Sequence, residues 1–187
     1  MSGSLSNLGQ GALEDAASVV GKLDPAAFEA FAQAIVGAKR IALHGLGREG
    51  LQMKGLAMRL FHLGLDAHAV GETTTPAVGK GDLLIVSAGP GYFATIDSLM
   101  TIAKNAGAKT AVVTAQPSSG MARAANHVLH IPAQTMADDQ GDKTSVLPMG
   151  SLFELSMMLV FELLVLRLRD ILGENAKSMR ARHTNLE

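Results

Sequence analysis

Two short glycine clusters hold the residues whose types and spacing can do chemistry in this chain. Gly45, Gly47 and Gly50 follow the apolar run Ile41-Ala42-Leu43-His44 and open onto an apolar-periodic stretch, with Arg48 and Glu49 set among them. That order predicts a strand, a tight turn and a helix N-terminus. Backbone N–H groups and the positive helix end suit a phosphate or carboxylate there, and Arg48 is placed to add a charge-assisted bond. A second cluster, Ser87-Ala88-Gly89-Pro90-Gly91, follows the run Leu83 to Val86. Two glycine turns at the ends of two strands predict one anion-binding cleft.

Gly45-x-Gly47-x-x-Gly50 also satisfies the dinucleotide fingerprint, which makes an NAD site a competing reading. That fingerprint needs an acid at the C-terminal end of the second strand. Asp66 precedes the strand instead, and Glu72 comes several residues late. A purely structural reading, in which glycines ease the turn and the packing of helix on sheet, stands beside both.

The elements that position these turns follow from periodicity. Leu5 to Val20 and Pro25 to Val36 have helical spacing, with Gly21 and Gly37 as stops and Pro25 in a permitted first-turn position behind Asp24. Strand and helix then alternate: strand to His44, helix Arg48 to Leu63, strands Ala67 to Val70 and Leu83 to Val86, helix Phe93 to Ala106, strand Thr110 to Val113, short helix Ser119 to Ala125, strand Val128 to Ile131. The strands are apolar on both faces, as in a five-stranded parallel sheet between two helical layers, a three-layer α/β/α sandwich. Gln134 to Leu147 is polar and predicts a mobile surface connection. Helix Ser151 to Leu172 is apolar around most of its circumference and must be covered on more than one side, which predicts a homo-oligomer built partly on it.

The chain has 187 residues, 48% of them apolar, which suits one domain with a sizeable core. Net charge is -1, with 16 basic and 17 acidic residues interspersed, so neither nucleic acid nor a membrane surface is an expected partner. The two N-terminal helices are too acidic and short for a helix-turn-helix regulator. The absence of cysteine removes disulfides and thiolate chemistry and fits a cytoplasmic protein. Met1-Ser2-Gly3-Ser4 lacks the basic and apolar regions of a secretory signal, and Leu152 to Leu172 carries too many charges for a membrane span. His62 with His68, and His127 with His130, lack metal-ligand spacing and carboxylate company, so no metal site is expected.

Six ordered blocks resemble the 6-phospho-3-hexuloisomerases of the sugar isomerase (SIS) domain proteins. They are Gly45-Leu46-Gly47-Arg48-Glu49-Gly50, Lys54 to Gly64, Val70-Gly71-Glu72-Thr73-Thr74-Thr75-Pro76, Gly81-Asp82-Leu83-Leu84-Ile85, Pro148 to Leu155 and the ending Met179 to Glu187. The likeness runs from about Arg40 to the last residue. It implies a flavodoxin-like fold, a single SIS domain over residues 1–187 (N-terminal helices 4–37, C-terminal helix and tail 149–187) and a homotetramer. The implied activity interconverts 3-hexulose 6-phosphate and fructose 6-phosphate through an enediol, without metal or organic cofactor. Such a reaction needs a group to shuttle the carbon-bound proton and donors for the enediolate oxygen. Glu154 matches the position of the base, and His183 that of a group handling a hydroxyl proton or ring opening. Each has a plainer reading: Ser151-x-x-Glu154 is also a capping box, and His183 lies in a polar tail where histidine is ordinarily solvated. Lys54 and Arg59 read as solvated or inter-subunit charges.

Two departures fall where such proteins grip phosphate. Glu49 replaces the serine of the usual Gly-Arg-Ser-Gly. The usual Ser-Gly-Ser-Gly-Glu-Thr has become Ser87-Ala88-Gly89-Pro90-Gly91-Tyr92, with Ser87 in register and Thr95 as a displaced counterpart of the threonine. A carboxylate facing a phosphate at ~4 Å costs about 4 kcal/mol at an effective dielectric of 20, and about 1 kcal/mol if watered. An inward Glu49 must pair with Arg48 or Lys54, or else the ligand's phosphate is displaced or absent; an outward one leaves the amides of both turns to the anion. Two functional classes follow: a catalytic phosphosugar isomerase, or a non-catalytic or differently selective SIS module that binds a sugar phosphate or another small anion.

Overall fold

The computed structural model describes residues 4–140 and 145–186, so Asp142 and Lys143 of the polar connection lie outside the described residues. Helices α1 (Leu5–Val20) and α2 (Pro25–Val36) start where the sequence places them. Ser4 Oγ accepts from the Asn7 amide, and Asp24 Oδ1 accepts from the Ala26 amide behind Pro25. Then come β1 (Ile41–His44), α3 (Gly47–His62), β2 (Ala67–Ala69), β3 (Leu83–Ser87), α4 (Ala94–Asn105), β4 (Lys109–Thr114), α5 (Gly120–Ala124), β5 (His127–His130), α6 (Ser151–Leu172) and α7 (Ala176–Ala181).

The five strands form one parallel sheet in the order β2-β1-β3-β4-β5. Alternate strand residues feed opposite layers. Ile41, Leu43, Leu83, Ile85, Ala111, Val113 and Leu129 pack with α2, α3 and α6, whereas Ala42, Leu84, Val86 and Val112 pack with α4 and α5. The three-layer α/β/α architecture expected from the sequence is therefore present. The strand order reverses at β1 and β3, so the chain leaves β1 toward one face and β3 toward the other. The gap between those departures is where open α/β sheets bind ligands.

Helix α6 is covered within the chain more fully than its sequence suggests. Phe153, Met157, Val160, Leu164 and Leu168 are buried in the core shared with α1, α2 and α3, leaving Leu155, Met158, Leu159 and Leu166 as an exposed stripe. Ion pairs tie its middle and C-terminal half to its neighbours: Arg59 of α3 makes two 3.0 Å bonds to Glu162, and Arg167 reaches Glu29 of α2. Arg59 is thus tied within the chain, not left to solvent.

Helix α7 interrupts a tail that reads as merely polar. Asn175 Oδ1 accepts from the Lys177 and Ser178 amides, and Ser178 Oγ accepts from the Asn175 amide, a reciprocal cap. The described part of the Gln134 to Leu147 connection is likewise tied down. Thr135 is buried and donates to Asp138 Oδ1, and Ser145 Oγ donates to Asp15 of α1. Among the described residues no helix is long and apolar enough to cross a membrane.

Candidate active site at the sheet's switch point

The first glycine turn is built by close packing as much as by ligand geometry. A Cβ on Gly45 would lie 2.4 Å from Ser87 Oγ, and one on Gly50 would lie 2.5 Å from the Gly45 carbonyl oxygen. These two glycines let β1, β3 and the start of α3 meet, which is the structural reading of the motif. Gly47 differs: its φ is +53° and its Cβ direction is open, so it faces the cleft. Leu46, the N-cap, makes no side-chain cap, leaving the first amides of α3 without helical acceptors.

The second turn behaves otherwise than expected. Between residues 88 and 91 no amide is left over for a ligand. Ala88 N–H donates to Val113 O, Gly91 N–H to Ala88 O, and Pro90 has none. Gly89 N–H donates to the carboxylate of Glu49, at 3.1 Å to one oxygen and 3.3 Å to the other. Glu49 therefore turns inward and pairs with neither Arg48 nor Lys54; the chain's own acid holds the hollow beside Gly89. Glu49 is only 7% exposed. Burial pushes its pKa above the usual carboxylate range, against the Gly89 amide and the nearby Ser87 hydroxyl, and the charge of Glu154 adds to the rise. Ser87 Oγ approaches without hydrogen-bonding geometry.

Arg48 is committed elsewhere. Its Nη1 donates to Ser151 Oγ at 2.7 Å, its Nη2 donates to the Met149 carbonyl, and Nη2 lies 3.0 Å from Glu154 Oε2. Among the described residues no donor is aligned on that buried oxygen, which keeps a lone pair for another proton. Burial raises the Glu154 pKa and Arg48 opposes the rise. The capping-box reading of Glu154 fails: the N-cap of α6 is Gly150, in a left-handed conformation and without a side-chain cap, so Ser151 already belongs to the first turn. Glu154 instead lines a cleft of about 490 Å³ with Gly47, Arg48, Glu49, Met149 and Phe153.

Among the described residues Met149 is the only non-glycine with positive φ, at 55°. Strained backbone of this kind gathers at functional sites, and here it presents the carbonyl that receives Arg48. Nothing in the sequence marks it. Pro90, Phe93, Thr135 and Met136 complete the lining; as apolar or loop residues they carry no sequence signal of a site.

The structure does not bring every candidate together. Thr95 is exposed on α4 and does not line the cleft, and Tyr92 is also exposed. His183 stacks on His62 with ring centroids 5.2 Å apart, at the other end of α3, where Arg59 and Arg180 line a separate hollow. Asp66, the acid nearest the dinucleotide spacing, is held by Arg40 at 2.8 Å and by His68 at 2.6 Å before β2 begins. His68 thus has the carboxylate neighbour that its sequence spacing did not announce.

A parallel sheet with reversed strand order, and a cleft at the reversal lined by a glycine-turn helix and a buried carboxylate, define the class of flavodoxin-like α/β domains that hold small ligands at the switch point. Residues 34–160 match the SIS domain family, and the chain belongs to it. It is 38% identical to the 3-hexulose-6-phosphate isomerase of Mycobacterium gastri over 93% of this chain and 87% of that protein. It is 34% identical to the Bacillus subtilis protein of the same name, covering 82% and 83% of the two chains. Among solved structures it resembles a Methanococcus jannaschii protein for which a 3-hexulose-6-phosphate isomerase function has been inferred, with 28% identity, a TM-score of 0.77 and 86% of each chain covered.

Proposed function

We propose that this protein is a phosphosugar isomerase that interconverts a 3-hexulose 6-phosphate and fructose 6-phosphate. The single observation that carries the reading is Glu154, a carboxylate in the switch-point cleft whose buried oxygen is ion-paired with Arg48 but takes no aligned hydrogen bond among the described residues. The relatives named as 3-hexulose-6-phosphate isomerases supply the substrate. Glu154 takes the proton from the carbon next to the carbonyl, giving an enediol, and returns it to the neighbouring carbon; the carbonyl moves by one position with no net oxidation. The free amides at the start of α3 are the donors for the phosphate or the enediolate oxygen, while Arg48 holds Glu154 beside them.

His183 cannot serve the cleft of its own chain, because the cleft lies at the N-terminus of α3 and His183 packs beside its last residue, His62. A 16-residue helix separates the two by roughly 24 Å. Its part in hydroxyl proton transfer therefore requires another subunit, in keeping with the homotetramer inferred from the resemblance and with the exposed stripe on α6. A cytoplasmic location is proposed on the cysteine-free sequence alone.

Conversion of fructose 6-phosphate to the 3-hexulose by the purified protein tests the assignment. A protein that binds fructose 6-phosphate without turning it over would instead be a binding module, the reading that the occupied second glycine turn favours.

A further inference from the structure

The cleft has an electrostatic problem that its own geometry resolves. Its charged lining consists of one guanidinium, Arg48, and two carboxylates, Glu49 and Glu154. Arg48 is spent on Glu154, Ser151 and the Met149 carbonyl. Against its charge Glu49 has the Gly89 amide, the nearby Ser87 hydroxyl and the first-turn dipole of α3, and among the described residues no cation pairs with it. Facing it are Arg48 on its own helix, Glu154 on α6, and the neutral Ser87 hydroxyl at the end of β3. His44 and Lys54 line a neighbouring cavity on the far side of the turn. A dianionic phosphate entering this cleft meets an uncompensated carboxylate in a largely apolar enclosure.

We infer that Glu49 determines what the cleft accepts: its carboxylate stands where an anion would sit on the second glycine turn, and a phosphate ester binds only with uptake of one proton by that carboxylate. The neutral acid removes the repulsion and turns Glu49 from acceptor into donor, able to give its O–H to the phosphate. Ionised, Glu49 stays on Gly89 N–H and excludes the second anion. The inference rests on the phosphosugar reading above and adds to it a proton-linked selection by a residue that does not move the carbon-bound proton. Burial of Glu49 and the adjacent Glu154 charge both ease its protonation.

Calorimetric titration with fructose 6-phosphate at pH 8, in buffers of different ionisation enthalpy, counts the protons taken up on binding. The phosphate's own second pKa is near 6, so the free ligand is dianionic at that pH. We expect close to one proton taken up by the native protein and close to none by Glu49→Gln, whose amide oxygen still accepts from Gly89. Binding to Glu49→Gln should be about fivefold or more tighter at pH 8. From pH 7.5 to 8.5 the native affinity should fall toward tenfold per pH unit while that of the variant stays level. Glu49→Ser, which frees the Gly89 amide altogether, should behave as Glu49→Gln and serves if the glutamine variant does not fold. Equal uptake in native and variant, or none in the native protein, overturns the role of Glu49 and leaves the phosphosugar reading standing. Failure of all three proteins to bind fructose 6-phosphate, with unphosphorylated fructose as the parallel probe, overturns both.

Discussion

Arg48 Nη2 and Glu154 Oε2 meet at 3.0 Å and join the N-terminus of α3 to the first turn of α6 across the mouth of the cleft. The pair opposes the burial that raises the Glu154 pKa, without spending the oxygen on an aligned hydrogen bond. A general base needs both: a neighbouring charge that favours its ionised form and a lone pair free for the proton it abstracts.

Replacing Glu154 with glutamine keeps the shape and removes the base. Turnover of fructose 6-phosphate should fall by about 10²–10⁴-fold, with thermal unfolding little changed and ligand binding retained. Unaltered turnover in Glu154→Gln would remove it from the chemistry.

Arg48→Ala removes the charge that opposes the rise of the Glu154 pKa. Because the base works as a carboxylate, kcat/KM rises with pH through its pKa, and in Arg48→Ala this acid limb should lie at higher pH. KM should also increase, since the same guanidinium orders Ser151 and Met149. A pH–rate profile from 5 to 9 for both proteins checks the displacement; an unmoved limb would show that another group controls it.

Glu49 makes a signed contribution to stability. Its folded pKa is raised above an unfolded value of about 4.3, so the native state binds the proton more tightly. That favourable contribution is complete below the unfolded value and disappears as pH rises through the raised one. Glu49→Gln should therefore unfold at a higher temperature than the native protein at pH 8, by about 2–4 °C for each 1 kcal/mol, and the gap should close toward pH 4. Melting curves from pH 4 to 8 measure it.

At Gly45 the expected effect is steric. An added Cβ would meet Ser87 Oγ at 2.4 Å and the Gly50 amide at 3.0 Å, so Gly45→Ala should destabilise by about 1–3 kcal/mol in urea titration. Gly45→Ala combined with Ser87→Ala should recover part of the loss, because the shortest contact is with the hydroxyl. No recovery would place the strain in the backbone contact to Gly50.

Met149 offers the opposite sign. With φ at 55° and the side chain 59% exposed, Met149→Gly relieves a conformational cost of about 1–2 kcal/mol and loses little packing. Glycine's larger unfolded-state entropy takes some of this back. A net gain of about 0.5–1 kcal/mol in urea titration is expected.

The legible and illegible parts of this chain divide by range. The turn after β1 and the bounds of α6 could be read because caps, glycine stops and apolar periods act over a few residues. The capping-box reading of Ser151 and Glu154 failed because the chain enters α6 through the left-handed Met149 and Gly150, which places the cap one residue earlier than the motif implies. The sequence of the second glycine turn suggests free amides because a local pattern does not show their acceptors. Gly91 N–H turns onto the local Ala88 carbonyl, but the acceptors of Ala88 and Gly89, Val113 O and Glu49, come from distant segments.

By itself the sequence determined a parallel α/β sheet with helices on both faces, two glycine turns at the ends of two strands and a glutamate at the head of an apolar helix. These are consequences of residue type and local spacing. Only the tertiary structure decided that Glu49 turns onto Gly89, that Arg48 serves Glu154, and that His183 stands at the far end of α3 from the cleft. Each of those outcomes depends on which partner the fold brings within reach of a charge, an amide or a ring. That competition is settled by packing between segments remote in the chain, and no local pattern encodes it.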